Sequence, residues 1–281
     1  MCIRDSAFGE SALETVVFEE GGEVLALKKN IFAEAQSLKR VTLSRVEAIP
    51  DSLFENFTSL EEIVIPSNVV TIGKYAFRNT ENAEIKTSAG AESLVIPASV
   101  AEIKAGAFAG SGITAVEFAE GDAPIKLGAG SVSSGKVSTE GIFHNTAKLK
   151  SVTFSSRVES IAVAMFYGSG IETLDLPERI EKIGNYAFAA SSLRSMVIPD
   201  SISGVPGTYI FSECAQLETV TLSKTMTRIS MNMFENSGLK SIVIPANITD
   251  VYSYSFKGCS SLTSVTFEGE AIKIAKQSFM A

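Results

Sequence analysis

Tryptophan is absent from this 281-residue sequence, histidine occurs once, and cysteine occurs three times. Three thiols do not make the disulfide framework of a small secreted domain. One histidine with two internal cysteines cannot build a zinc site from the usual ligand sets unless carboxylates join them. Basic residues are in deficit, 24 Lys and Arg against 32 Asp and Glu for a formal net charge of -8, and they form no stripe. A nucleic-acid surface, which needs clustered cations opposite phosphates, is therefore excluded. No apolar run approaches the roughly 18 residues of a membrane-spanning helix, so no membrane insertion is expected in this stretch. Nucleophile settings such as G-x-S-x-G are missing too. The single histidine, His144, directly follows Phe143, where corresponding positions carry Arg78, Ala109, Tyr167 and Lys257; it is expected on the surface. Neither a catalytic residue nor a metal or cofactor site is expected.

What the chain does have is a period. Phenylalanine returns about every 23 residues at Phe8, Phe32, Phe54, Phe77, Phe108, Phe143, Phe166, Phe188, Phe211, Phe234, Phe256 and Phe279. Units this short cannot bury an apolar face alone and must stack on their neighbours, as repeats of 20–29 residues do. One clean copy reads Leu60, Ile63, Ile65, Pro66, then Val69 and Ile72, then Tyr75-Ala76-Phe77. The same frame returns at Leu193, Met196, Ile198, Pro199 and at Leu239, Ile242, Ile244, Pro245, Ile248, Val251, Phe256, with looser copies from Leu13, Leu38, Ala91, Ile113, Leu149, Ile171, Leu217 and Leu262. Alternation of Ile63 and Ile65 about Val64 predicts a short strand with its apolar side inward, ended by the proline. The Val69/Ile72 pair, repeated as Ile180/Ile183 and Ile248/Val251, predicts a second short extended stretch. The turn at Ala76-Phe77 is expected to be a single helical turn. The ladder Phe54, Phe77, Phe108, Phe143, Phe166, Phe188, Phe211, Phe234, Phe256 should form one buried column.

This frame resembles the BspA-type leucine-rich repeat, whose unit reads L-x-x-h-x-I-P, then h-x-x-I, then A-F-x-x-C. Five strand ends carry the proline, at Pro66, Pro97, Pro177, Pro199 and Pro245. The closing Cys survives only at Cys214 and Cys259, with Ser at Ser111, Ser169, Ser191 and Ser237; two repeats apart, these thiols should be free and buried. The continuous Asn ladder of receptor-type leucine-rich repeats is missing, its place being taken by Asn68, Ser99, Arg179, Ser201 and Asn247. The resemblance implies a β-rich, right-handed solenoid over 7–281 with about 12 repeats, carrying a parallel sheet of short strands, a second row of extended segments and single helical turns. It also implies a bacterial or protist surface protein, cell-surface or secreted, that adheres to a protein or glycoprotein and has no catalytic activity of its own. The alternative is a non-catalytic spacer or recognition region of a larger secreted enzyme; a third is an intracellular scaffold. A monomer is expected.

The period breaks twice, between Phe77 and Phe108 and between Phe108 and Phe143, placing insertions near 80–91 and 119–140. Both are expected to bulge from the coil as loops. Within the second, Gly130 to Lys136 reads G-x-x-x-x-G-K, but Val137 stands where a phosphate loop needs Ser or Thr to hold magnesium, so the match is read as coincidence. Asn56-Phe57-Thr58 and Asn247-Ile248-Thr249 fit the glycosylation pattern and sit at ordinary repeat positions, where chance explains them. Met1-Cys2-Ile3-Arg4-Asp5-Ser6 resembles translated library-adapter sequence and is read as a non-native leader, with the chain an internal piece of a longer protein.

Two surfaces are candidates for partner contact. The outward strand row runs Val17, Thr42, Val64, Val95, Glu117, Thr153, Asp175, Val197, Thr221, Val243 and Thr266; it is flat, β-branched and poor in charge, and lacks the Trp, Tyr and Arg of typical hot spots. The second row, Tyr75, Tyr186, Tyr209 and Tyr254, stands two residues before the ladder Phe. It is either an amphipathic contact stripe or packing between coils with each hydroxyl in water.

Overall fold

A computed structural model describes residues 7–9, 11–87 and 93–280. The hexapeptide leader with Cys2, and Ala91, lie outside the described residues. The fold is a parallel β-solenoid, and the chain divides into two compact units, one of residues 1–129 with 139–157 and one of residues 130–138 with 158–281.

In the first unit, the strands Thr15–Val17, Arg40–Thr42, Glu62–Val64 and Glu84–Lys86 lie side by side in parallel. Leu94–Ile96, Ala115–Phe118 and Ser151–Thr153 form a second such sheet. The expected second row is there, as Ala48–Ile49, Thr71–Ile72, Glu102–Ile103 and Lys126–Leu127. The second unit repeats the plan with Ser195–Val197, Thr219–Thr221, Ser241–Ile244 and Ser264–Phe267. Its second-row strands are Ser160–Ile161 with Lys182–Ile183, and Arg228–Ile229 with Asp250–Val251 and Lys273–Ile274. In register, like residues face like: Val16, Val41, Ile63 and Ile85 are neighbours, all buried.

Stacked rings fill the interior of each unit. Phe8, Phe32, Phe54, Phe77, Phe108 and Phe143 stack successively at 5.2–5.7 Å in the first unit. Phe166, Phe188, Phe211, Phe234, Phe256 and Phe279 do so at 4.7–5.7 Å in the second. Near-parallel rings at these separations are offset stacks, and a solenoid that repeats its backbone offers each ring the same neighbour above and below.

The turn that carries the ring is not the helical turn expected from the sequence; no helix occurs among the described residues. Its N–H groups explain why. Phe77 and Asn79 donate to Ala107 and Ala109 of the next coil, both at 2.8 Å, and Phe188 and Ala190 to Ile210 and Ser212. A helix would spend those donors on its own i−4 carbonyls. Aiming alternate N–H groups at the next coil instead requires left-handed residues on either side of the ring: Tyr75 and Asn79 have φ of 57° each, Tyr186 57° and Ala190 55°. Tyrosine at positive φ is uncommon, and its recurrence at Tyr209 and Tyr254 marks a strain offset by a third hydrogen-bonded ladder. The coils close tightly just upstream, where a Cβ on Gly207 would lie 2.5 Å from the Gly184 carbonyl carbon.

The insertions also differ from the expected loops. Glu84–Lys86 is a strand of the first sheet because Ile85 sits at an inward, buried position between two polar residues. The later insertion supplies the second-row strand Lys126–Leu127 and then a hairpin, Ser131–Ser133 with Lys136–Thr139. Ser134 and Gly135, at φ of 51° and 75°, form its two-residue connection, and two positive-φ residues are what a type I′ turn demands.

Candidate functional site

The strand face of the second unit is the most open of the sequence-predicted surfaces. Register places Val197 beside Thr221 and Val243 beside Thr266, while Ser195 and Thr219 pair, as do Thr219 and Ser241, and Ser241 and Ser264. Methyls and hydroxyls thus lie in two outward rows, and Val197 and Val243 are 64% and 49% exposed. A shallow hollow of about 540 Å³ runs over this face, lined by Thr219, Thr221, Ser241, Val243, Asn247 and Glu268. Elsewhere in this unit the ion pairs Arg194–Glu172 at 3.3 Å and Lys240–Glu218 at 2.8 Å join successive coils. The Lys240 hydrogen bond holds the Glu218 carboxyl below its usual range.

The other members of that row are less uniform. Glu117, Thr153 and Asp175 are exposed, Thr42 and Val95 are half-buried, and Val64 is buried. Glu84–Lys86, not the strand holding Val95, is the neighbour of Val64, and Lys86 stands beside it in register. Lys86 Nζ lies 2.7 Å from Glu84 and 3.7 Å from Glu62.

The tyrosines do not share one environment. Tyr186 and Tyr209 stack at 4.5 Å and 5° in the second unit. Tyr186 is buried, and its hydroxyl donates to the Gly135 carbonyl at 2.6 Å rather than meeting water. The hairpin covers it: Val132 and Val137 pack with Val163, Tyr167 and Tyr209 around Ala164, Tyr186 and Ala189. Burial raises the Tyr186 hydroxyl above its ordinary pKa. The segment read as a near-match to a phosphate loop is this hairpin, with Lys136 exposed on a strand. Tyr75 and Tyr254 are half-buried under cations, Lys74 and Arg78 lying 4.8 and 5.0 Å from the first ring and Lys257 5.5 Å from the second.

His144 departs from its expected surface place. It is buried beside the Arg78–Glu140 bridge, whose Nε and Oε2 are 2.7 Å apart, and Arg78 also reaches Glu55 at 3.0 Å. Desolvation holds the imidazole below its usual pKa, Glu140 opposing and Arg78 assisting. The position after a turn phenylalanine is sheltered in other coils too, buried at Ala109, Ala189 and Ser212 and half-buried at Arg78, Tyr167 and Lys257. Cys214 and Cys259 are free thiols, the first buried and the second half-buried. They donate to the Phe188 and Phe234 carbonyls at 3.0 and 2.9 Å. Burial pushes Cys214 up to about 11, which suits a core filler and not a nucleophile. Among the described residues no group of three His, Cys, Asp or Glu side chains is placed to hold a metal ion, and no helix is long and apolar enough to cross a membrane.

A functional slot that the sequence obscured is the interrupted Asn ladder. Its residues share no chemistry, and Asn68 and Arg179 stand exposed, yet several of the others do one job. Ser99 Oγ donates to Ser67 and Val69 carbonyls at 2.8 and 2.7 Å, Ser201 to Ile180 at 2.7 Å, and Thr225 to Asp200 and Ile202 at 2.6 and 2.9 Å. Asn247 Nδ2 donates to Ser223 at 3.2 Å and to Met226. That amide faces the backbone of the preceding coil, which leaves the second glycosylation match without a free nitrogen. Where the register with Ser99 puts Ala123, which has no side-chain donor, Arg157 of the following coil reaches across the slot. Its guanidinium donates to Ala123 at 2.8 Å, to Pro97 at 3.2 Å and to Val100, all while buried.

A family model described as BspA type Leucine rich repeat region (6 copies) matches residues 1–114, 137–208 and 205–281. No curated protein matches the chain. Among solved structures, a leucine rich cell surface protein from Faecalibacterium prausnitzii A2-165 is similar at a TM-score of 0.51 and 18% identity, over 92% of this chain and 88% of that one. A leucine-rich repeat protein from Bacteroides ovatus ATCC 8483 gives 0.49 at 18% identity, over 95% and 84%. The pneumococcal vaccine antigen PcpA gives 0.42 at 14% identity, over 95% and 64%. At such identities the likeness is one of fold.

Proposed function

The chain belongs to the BspA-type leucine-rich repeat family, and on that premise we propose that it is a non-catalytic binding module of a bacterial surface or secreted protein, adhering to a protein or glycoprotein partner. The observation that carries this reading is the strand face of the second unit, where Val197, Thr221, Val243 and Thr266 form an uncharged, outward row over a broad hollow. Isolated exposed apolar residues are ordinary, but a contiguous ordered patch is a surface for contact. Its side chains are β-branched and rotamer-poor, so little conformational entropy is lost when they are covered. Each coil adds one more weak contact, and several such faces on one cell surface would act by avidity. Support for the surface location comes from the Faecalibacterium structure, which is described as a cell surface protein.

Immobilised extracellular-matrix proteins and mucin-type glycoproteins, presented to the protein at micromolar concentration, test the proposal. Retention of at least one of them is expected, weakened at least tenfold by Val197→Asp combined with Val243→Asp in a protein that keeps its circular dichroism. Absence of any retained ligand, or binding that ignores both substitutions, overturns it.

A further inference from the structure

Coil length varies within the first unit, and one short coil between two longer ones makes a hollow. From the ring to the leading apolar residue of the next strand segment, Phe77 to Ala83 and Phe143 to Leu149 are six residues apart, whereas Phe108 and Ile113 are five apart. Each longer connection closes an extra turn, Ala83 N–H donating to Thr80 and Leu149 N–H to Thr146, both at 3.1 Å. Residues 111–114 of the short one form no turn. Gly112 N–H donates instead to the Thr80 carbonyl at 3.0 Å, and a Cβ at Gly112 would come within 2.5 Å of the Glu81 carbonyl oxygen. A hollow of about 340 Å³ is left over the short coil, with Asn79 and Glu81 contributed by one longer coil and Asn145 and Lys148 by the other. That volume lies within the roughly 300–1,000 Å³ of small-molecule sites. Lys148 Nζ spans the hollow to the Glu81 carbonyl at 2.8 Å.

Among the lining groups is Ser111, 3% exposed, whose hydroxyl has no hydrogen-bond partner among the described residues. Ser191 and Ser237, at the same place in later coils, pair with the thiols of the next coil, Cys214 and Cys259, both at 3.5 Å. The coil after Ser111 carries Thr146 there, and its hydroxyl turns to the Phe143 carbonyl at 2.7 Å. A buried hydroxyl without a partner costs free energy that a ligand oxygen can recover. The groups around Ser111 select that ligand. Asn79 donates its Nδ2 to Asn56 Oδ1 at 2.7 Å, so its Oδ1, which a Cβ at Gly110 would meet at 2.7 Å, is left to accept. The Glu81 carboxylate only accepts, the Lys148 ammonium only donates, and Asn145 and Ser111 do both. An anion would face Glu81 and Asn79 Oδ1, a cation would face Lys148, and an apolar molecule would meet mostly polar walls. A neutral polyhydroxyl compound suits all of them, because each of its hydroxyls donates and accepts. We propose that this hollow binds a hexose, free or at the end of a glycan, with Ser111 hydrogen-bonding one sugar hydroxyl and Lys148 leaving the Glu81 carbonyl to hold another. The site belongs to the first unit and does not rest on the strand face of the second.

Ligand-observed NMR titration of the 281-residue protein tests this with methyl glycosides of glucose, galactose, mannose and N-acetylglucosamine, each to about 50 mM, and with inorganic phosphate and choline as charged comparisons. At least one sugar should bind with a Kd on the order of millimolar, more tightly than either ion. Ser111→Ala should weaken it about fivefold, the loss of one hydrogen bond. Thermal stability of that variant should stay at or above the parent's, because the deleted hydroxyl bonds nothing in the free protein. Asn145→Gly, which suits the φ of 55°, should weaken the sugar to a similar extent. Ser169→Ala, which removes another buried hydroxyl without a partner, and Val197→Asp combined with Val243→Asp should leave sugar binding unchanged. In that last protein, retention on a mucin-type glycoprotein that disappears once its glycans are removed assigns the site to glycan ends, and sugar binding without such retention assigns it to free sugars. No sugar binding over the whole range, preference for phosphate or choline, or sugar binding that ignores both Ser111→Ala and Asn145→Gly would overturn the proposal.

Discussion

Phe188 and Thr221 measure what a single side chain contributes in this fold. The Phe188 ring is fully buried and lies between Phe166 and Phe211, both at 5.7 Å, whereas Thr221 stands on the exposed row. Phe188→Ala should cost about 3–5 kcal/mol, since it removes both stacks and leaves a cavity that rigid neighbouring coils cannot close. Thr221→Ala removes strand propensity and little else, so a shift within about 0.5 kcal/mol is expected. Chemical denaturation of both variants checks the contrast, and equal effects would mean that the ring column does not carry the core. Arg157 shows the other kind of residue. Its value lies in satisfying carbonyls of the two preceding coils, a task for which its length and its several donors are needed. A serine in that slot, adequate at Ser99 or Ser201, cannot span the coil that holds Ala123.

Among the elements, the hairpin stands apart from the parallel rows. It is held to the tyrosine pair by the packing of Val132 and Val137 and by one hydrogen bond from Tyr186. Tyr186→Phe keeps the stack on Tyr209 and deletes only that bond, so the expected loss is about 1 kcal/mol, confined to the hairpin. Hydrogen exchange across residues 130–138 should rise while the Phe188 turn stays protected. Exchange unchanged at the hairpin would show that its valines and the Gly130 N–H bond to Val163 suffice to fix it. The ring-bearing turns teach a related lesson about elements. Their backbone is ordered by the next coil, through bonds such as Phe77 N–H to Ala107, alternating with single i−3 turns such as Arg78 N–H to Tyr75, and not by a continuous helical ladder.

At the scale of the whole molecule, each coil bonds chiefly to its immediate neighbours, so stability propagates as nearest-neighbour terms. A lesion should therefore stay local. In the Phe188→Ala variant, amide protection is expected to fall in the coils carrying Phe166 and Phe211 and to remain at parental levels around Phe32 and Phe54. Native-state hydrogen exchange with peptide resolution checks this, and a uniform loss of protection would indicate one global cooperative unit instead. The same one-dimensional logic explains why function is spread out. Among the described residues no group of three His, Cys, Asp or Glu side chains is placed to hold a metal ion, and what a repeat array offers a partner is the sum of many similar outward positions.

Periodicity made the coil legible from sequence alone, because a 23-residue repeat with Leu60, Ile63 and Ile65 on one side and Phe77 at its turn has only stacking as a way to bury those groups. The strand rows, the stacked rings and the free thiols follow from that necessity. Tertiary structure decided everything that depends on the neighbour in space. Whether a turn N–H bonds within its coil or to the next one is not written in the local sequence, and so the helical turn expected at Ala76-Phe77 gave way to left-handed tyrosines and an intercoil ladder. His144 is buried by side chains arriving from other coils, and Val64 is hidden beside a strand, Glu84–Lys86, lying in what seemed a loop insertion. The ladder slot read as broken because its side chains differ, yet Ser99, Arg157, Ser201, Thr225 and Asn247 all donate to carbonyls of preceding coils. Sequence specifies which groups must be buried or bonded; only the packed coils determine which partner satisfies each, because partners far apart in the chain become adjacent through stacking.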